Sequence, residues 1–148
     1  MEDRYLYKAK TTPKEKGEFN NVWVAGNLIV SNGKYYIHPV GNVVNVKNET
    51  GRIIVMHEAI PDTICQCTGS KDKNGNLIWE NDIIECKDGK HNFQTQIEWD
   101  AYSAGFIFQD TETSAVELDA ITANGLYSES KVIGNIFDNK ELVESEEK

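Results

Sequence analysis

Val22-Trp23-Val24-Ala25-Gly26-Asn27-Leu28-Ile29-Val30, then Ser31-Asn32-Gly33-Lys34, then Tyr35-Tyr36-Ile37 is the stretch that decides the fold. Two runs of β-branched and aromatic residues flank an Asn-Gly pair. A type I′ turn needs positive φ at both central residues, and Asn-Gly meets that need at low cost, so the stretch predicts a tight β-hairpin. The same punctuation recurs along the chain. Val43 to Val46 and Arg52 to Met56 flank a polar turn from Lys47 to Gly51, and Pro39 and Pro61 bracket the region. Each proline limits ladder pairing where it sits.

From Thr63 the theme repeats. Thr63 to Cys67 reads as a strand, Thr68 to Gly75 as a turn-rich loop with a second Asn-Gly, and Leu77-Ile78-Trp79 as a short strand. Glu80-Asn81-Asp82 is a polar bend before the strand Ile83-Ile84-Glu85-Cys86, and Lys87 to Lys90 turns again. Phe93 to Asp100 alternates most clearly, placing Phe93, Thr95, Ile97 and Trp99 on one face. Ala101 to Gly105 turns and Phe106-Ile107-Phe108 returns. Val116 to Thr122 fits either a helical turn or a short strand, and Lys131 to Phe137 reads as the last strand. Asp138 stands three residues before Glu141, the spacing of a capping box, which predicts a short helix through Val143. Strands separated by turn signals every 8–12 residues indicate a barrel or sandwich. The expected organisation is an N-terminal hairpin region over 1–61, a β-rich region over 62–137, and a short helix with an acidic tail over 138–148.

Composition narrows the function classes. The 148 residues carry 15 Lys+Arg against 24 Asp+Glu, a formal net charge of −9. That balance disfavours non-specific binding to DNA or to membrane surfaces, because both require a surplus of cations. No apolar run approaches the ~18 residues of a membrane span. The opening Met1-Glu2-Asp3-Arg4 lacks a basic-then-apolar signal pattern, so the expected location is the cytoplasm. Cys65, Cys67 and Cys86 are odd in number and form no secreted disulfide framework, so free thiols packed as small hydrophobes are expected.

No catalytic or cofactor motif emerges. Gly69 and Gly75 are too far apart for a phosphate loop and lack its Lys-Ser/Thr ending. Ser70, Asp72, Asn74 and Gly75 fall on the first positions of a calcium-loop template, but Asn81 stands where a bidentate Glu is needed. His57-Glu58 lacks the second His of a zinc-protease helix. The expectation is therefore no enzyme, no metal and no cofactor.

The run Thr68-Gly69-Ser70-Lys71-Asp72-Lys73-Asn74-Gly75-Asn76-Leu77-Ile78-Trp79-Glu80-Asn81-Asp82-Ile83-Ile84 resembles the signature of the YopX protein family, proteins encoded by phages and prophages. Val132-Ile133-Gly134-Asn135-Ile136-Phe137-Asp138-Asn139 is similar to that family's closing block. Ile97-Glu98-Trp99-Asp100 with Gly105-Phe106 falls where the family carries a Val-Glu-Trp and a Gly-Phe element, and Tyr5 to Lys10 is similar to its opening strand. Cys67, Ser70 and Asn81 stand where the family usually has Tyr, Leu and Gly. Asn tolerates the left-handed conformation nearly as Gly does. The resemblance implies a mainly β fold, with antiparallel hairpins and an SH3-like barrel in the C-terminal part. It implies no assigned reaction.

Within the signature, Thr68, Gly69, Asp72, Asn74, Gly75, Glu80 and Asp82 read as turn-forming residues. Trp79, Trp99 and Tyr102 are the candidates for an interaction surface. The leading expectation is a protein–protein interaction module, binding a partner or itself. The alternative is a barrel that binds single-stranded nucleic acid, with cations drawn from Lys8, Lys10, Lys14, Lys16, Lys71 and Lys73.

Overall fold

A computed structural model of the chain describes residues 5–12, 21–39, 46–48, 51–53, 56–87, 92–109, 115–117 and 129–144. The fold is mainly β, with antiparallel ladders and a single short helix among the described residues. Contacts divide the chain into two compact units, Tyr5–Gln66 and Cys67–Lys148 with Met1–Arg4.

The first unit is built on the Asn-Gly hairpin. Strand β2 (Trp23–Ser31) pairs with β3 (Lys34–Pro39) from Ser31↔Lys34 to Gly26↔Pro39. Asn32 and Gly33 hold φ of 51° and 74°, as a type I′ turn requires. Strand β1 (Tyr7–Lys10) joins the other edge of β2, Tyr7 opposite Gly26 and Lys10 opposite Trp23. Gly26 is obligatory there, because a Cβ would collide with the carbonyl of His38. β4 (Val46–Asn48) and β5 (Gly51–Ile53) form the second expected hairpin. Its connection is tighter than the sequence reading, since Lys47, Asn48 and Gly51 lie on the ladder itself. Strand β6 (His57–Glu58) pairs with β3.

The alternation of the strands sends Ala9, Ile37 and Ala59 into the core of this unit, backed by Tyr7, Val24, Leu28, Tyr35 and Ile64. Pro61–Thr63 form a 3-10 turn, so Thr63 is not part of the strand expected for it. The Thr63 hydroxyl instead donates to Ile60 O (2.7 Å) and accepts from the Lys10 amide (2.9 Å). That pins the turn to β1.

Strand β7 runs from Cys65 to Lys71. Thr68, Gly69, Ser70 and Lys71, read from the sequence as loop, therefore extend the strand, with a register irregularity between Cys67 and Lys71. Gly69 sits there with φ of 84°, which only glycine adopts freely. In the second unit β8 (Leu77–Trp79) pairs with the end of β7. Strand β9 (Asp82–Lys87) is central, with β10 (Asn92–Gln96) on one side and β14 (Lys131–Asn135) on the other. It buries Ile83 and Ile84 on opposite faces. Strand β11 (Glu98–Asp100) pairs with β12 (Gly105–Gln109), and β12 with β13 (Ala115–Glu117).

The strand expected over Phe93 to Asp100 is thus two strands broken at Ile97. The backbone of Ile97 turns onto the Glu80–Asp82 bend: its amide donates to Asp82 O and its carbonyl accepts from the Asn81 amide, both at 2.8 Å. The chain then leaves β9 and pairs with β12. Ile97 stays fully buried, but Trp99 beyond the break is 48% exposed rather than packed with it. The core of this unit is Ile78, Ile84, Cys86, Ile97 and Phe108, against which Phe93, Phe106 and Val132 pack. Each fully buried Ile contributes roughly 1.5–3 kcal/mol relative to exposure.

Val116 lies on a strand, resolving the ambiguity of that segment in favour of β; 118–122, the turn at 88–90 and the tail at 145–148 lie outside the described residues. Helix α1 covers Glu141–Glu144. It begins later than a capping box on Asp138 implies, because Asn139 supplies the first carbonyl, accepting from the Leu142 amide at 3.0 Å. No helix among the described residues is long and apolar enough to cross a membrane.

Candidate functional site

The signature turn is organised by one carboxylate. Asp72 is only 6% exposed. Its Oδ1 accepts from the amides of Asn74 and Asn76, and its Oδ2 from the Val132 amide on β14, all at 2.9 Å. Burial pushes the Asp72 carboxyl up, but those amides of Val132, Asn76 and Asn74 outweigh it and hold the group below its ordinary value. Gly75 takes φ of 82° and its amide donates to Asp72 O, closing the turn. Lys73 N donates to Ser130 O at 3.0 Å, a second tie beside β14. With both oxygens committed to backbone amides, the calcium-loop spacing at Ser70, Asp72 and Asn74 is explained as a turn. Thr68 belongs to the same structure, its hydroxyl donating to Ile78 O (2.6 Å) and accepting from the Ser70 amide (3.1 Å).

The Glu80–Asp82 bend works in the same manner. Asp82, 2% exposed, accepts from the Trp79 amide at 2.8 Å through Oδ2. Asn81 adopts φ of 70°, the conformation that glycine or asparagine tolerates. Its carbonyl accepts from Ile136 N at 3.1 Å, and its side chain accepts from Gln96 Nε2 at 3.1 Å. Glu80 is half-buried at the bend. The closing block meets the signature here: Gly134 lies opposite Ile83 and Asn135 opposite Asp82. A Cβ on Gly134 would collide with the Asn139 side chain, whose Oδ1 accepts from the Asn135 amide at 3.2 Å. Asn135 Oδ1 in turn accepts from the amides of Phe137 and Asp138. The sequence reading does not single out Asn135 and Asn139 by role; a glycine followed by two asparagines, one adjacent and one five residues on, is the available signal.

The candidate aromatics separate. Trp79 is half-buried on β8. Trp99 and Tyr102 stand together on the β11–β12 hairpin, Trp99 half exposed and Tyr102 fully exposed. Trp99 sits opposite Phe106 in the ladder, and the rings meet edge-on at 5.1 Å and 71°. Phe106 itself packs on the core, so Trp99 is held on one side and open on the other. The hairpin turn is closed by Asp100, which accepts from Ser103 Oγ (2.7 Å), Ser103 N (3.2 Å) and Tyr102 N (3.4 Å). The Ser103 hydroxyl, with these amides, holds the Asp100 carboxyl below its ordinary value. Ala104 completes the turn at φ of 54°.

The three cysteines are free and buried. Burial pushes the Cys86 thiol up to about 11, with the neighbouring Ser130 hydroxyl pulling the other way and the Glu85 charge adding to the rise. A thiol held protonated at neutral pH is a poor nucleophile. Among the described residues no group of three or more His, Cys, Asp or Glu side chains is placed to hold a metal ion.

A family model described as YopX protein matches residues 4–144. The crystal structure of protein EF1440 from Enterococcus faecalis is similar at 22% sequence identity and a TM-score of 0.44, covering 95% of this chain and 97% of that one. No curated protein matches the chain.

Proposed function

The chain belongs to the YopX protein family, and from that premise we propose that it is a non-enzymatic phage or prophage accessory protein, a protein–protein interaction module of the bacterial cytoplasm. The observation that carries this reading is the β11–β12 hairpin, which presents Trp99 and Tyr102 to solvent on a turn built by Asp100. Tryptophan and tyrosine are the side chains that most often dominate binding energy at protein interfaces. A non-enzymatic role is supported by how the signature spends its polar atoms. The carboxylates of Asp72 and Asp82 accept from backbone amides inside the fold rather than converging on a pocket.

The reading extends to the architecture of the second unit as an SH3-like barrel. Strand order supports it: β14-β9-β10 form one ladder and β11-β12-β13 the other, with the chain passing from one to the other through the break at Ile97. A chain that passes directly from one small sheet to the next, with β14 returning beside β9, is the kind of corner a small barrel turns.

Affinity capture from a bacterial lysate, with wild-type chain beside a Trp99→Ser/Tyr102→Ser double variant, tests the function. A partner retained by the wild type and lost by the variant is the expected result. Recovery of the same proteins by both, or of none by either, overturns it.

A further inference from the structure

Asparagine followed by glycine forms turns, and it is also a reactive pair, because the glycine nitrogen carries no neighbouring side chain to hinder it. The sequence holds Asn32-Gly33, Asn74-Gly75 and Asn124-Gly125. The last lies outside the described residues; the structure treats the first two differently. Asn32 and Gly33 are exposed at the tip of the β2–β3 hairpin. The ladder closes at Ser31↔Lys34, and the Gly33 amide, outside it, has no acceptor among the described residues. A Cβ placed on Gly33 would meet nothing within 4 Å, so the space beside this peptide is open. Asn74 and Gly75 are also exposed, and Gly75 has a similar positive φ, 82° against 74° at Gly33. There, however, the Gly75 amide donates to Asp72 O at 3.0 Å and the Asn74 amide to Asp72 Oδ1 at 2.9 Å. Val132 and Ser130 fasten the same turn from outside it. The two pairs share exposure and differ in whether the glycine amide is engaged.

We propose that Asn32 is a site of spontaneous deamidation, and that Asn74 is protected from it by the turn that Asp72 builds. The Gly33 nitrogen attacks Cγ of the Asn32 carboxamide. A new C–N bond closes a five-membered imide, the carboxamide C–N bond breaks, and the side-chain nitrogen leaves as ammonia. The proton lost by the Gly33 amide returns through solvent to that departing nitrogen. Water then adds to one imide carbonyl or the other, opening the ring to aspartate or isoaspartate. To reach Cγ, the peptide between asparagine and glycine has to rotate. At Asn32 the rotation takes no hydrogen bond from the glycine amide. At Asn74 it pulls the Gly75 amide off Asp72 O, and losing one such bond slows the step by about tenfold. Either product places a carboxylate at the hairpin tip where a neutral amide stood. Isoaspartate also adds a backbone carbon between Ser31 and Lys34, which a two-residue type I′ turn does not accommodate.

Peptide mapping by mass spectrometry tests this, with the full-length chain aged in mildly alkaline buffer, once folded and once in guanidinium chloride. Fragmentation of the peptides assigns the amide-to-acid mass gain to Asn32 or Asn74, and chromatography separates aspartate from isoaspartate. The expected result for the folded chain is conversion at Asn32 at least about tenfold faster than at Asn74. In denaturant the two sites should convert at similar rates, because the protecting turn is gone. Asn32→Gln, whose longer side chain closes no five-membered ring, should remove the acidic product at the hairpin tip and leave Asn74 slow. Asn74 keeping pace with Asn32 in the folded chain overturns the proposal. So does an Asn32 that stays intact when folded yet converts when unfolded, or a rate difference that persists in denaturant.

Discussion

Two turns of this molecule use one device to opposite ends. Asp72 and Asp100 each accept hydrogen bonds from amides that follow them in sequence. Asp72 has a free oxygen left for Val132, sixty residues away, and is buried by the strand it ties down. Asp100 spends its remaining capacity on Ser103 three residues on, and stays at the surface. The same side chain thus builds a scaffold where a second strand lies within reach, and a projecting loop where none does. The conspicuous signature is the scaffold; the plainer hairpin carries the open aromatics.

The strongest break in this comparison is Asp72→Ala. It removes the acceptor of three amides, of which the Val132 amide lies on β14, and a buried unsatisfied donor costs about 1–3 kcal/mol. The expected loss is about 1–3 kcal/mol in urea denaturation, against less than about 0.5 kcal/mol for Asp100→Ala, where water replaces the lost partner. Comparable losses for the two would erase the distinction.

Next in size is acid sensitivity. The folded state holds the Asp72 carboxyl below its ordinary value. Folding therefore favours its charged form, and the stability it contributes is complete above the unfolded pKa and is lost as pH falls through the folded one. Unfolding midpoints measured from pH ~6 downward should decline below about pH 5, with part of that slope absent in Asp72→Asn. A parallel decline in both proteins would place the acid response elsewhere.

Asn81→Gly and Asn81→Ala sharpen the scaffold further. With φ at 70°, Ala carries a left-handed penalty of about 1–2 kcal/mol, while Gly keeps the conformation and loses the Gln96 contact. Thermal melts should rank wild type near Gly and both above Ala. The smallest effect is expected at the open hairpin: Tyr102→Ser should change stability by less than about 0.5 kcal/mol, and Trp99→Ser by more, through Phe106.

Much of this was legible from local chemistry. Asn32-Gly33 announces its turn because only two residues are involved and both need positive φ. Asn81 announces the bend for the same reason, and Asp82 fixes it from one residue away. Asp72 could be recognised as a turn residue, but not as the acceptor for Val132, since nothing in the intervening sequence reports that β14 returns to β9. The alternation from Phe93 to Asp100 misleads at Ile97 because periodicity records side-chain polarity, whereas the break is made by backbone groups turning to Asn81 and Asp82.

By itself, then, the sequence determined the β class, the hairpin turns and their chemistry, because these depend on residues a few positions apart. Tertiary structure decided that the two motif blocks are stitched into one scaffold and that Trp99, unlike Ile97, faces solvent. Those outcomes depend on which backbone groups and strands meet across long separations, and burial is a property of that meeting rather than of any residue type.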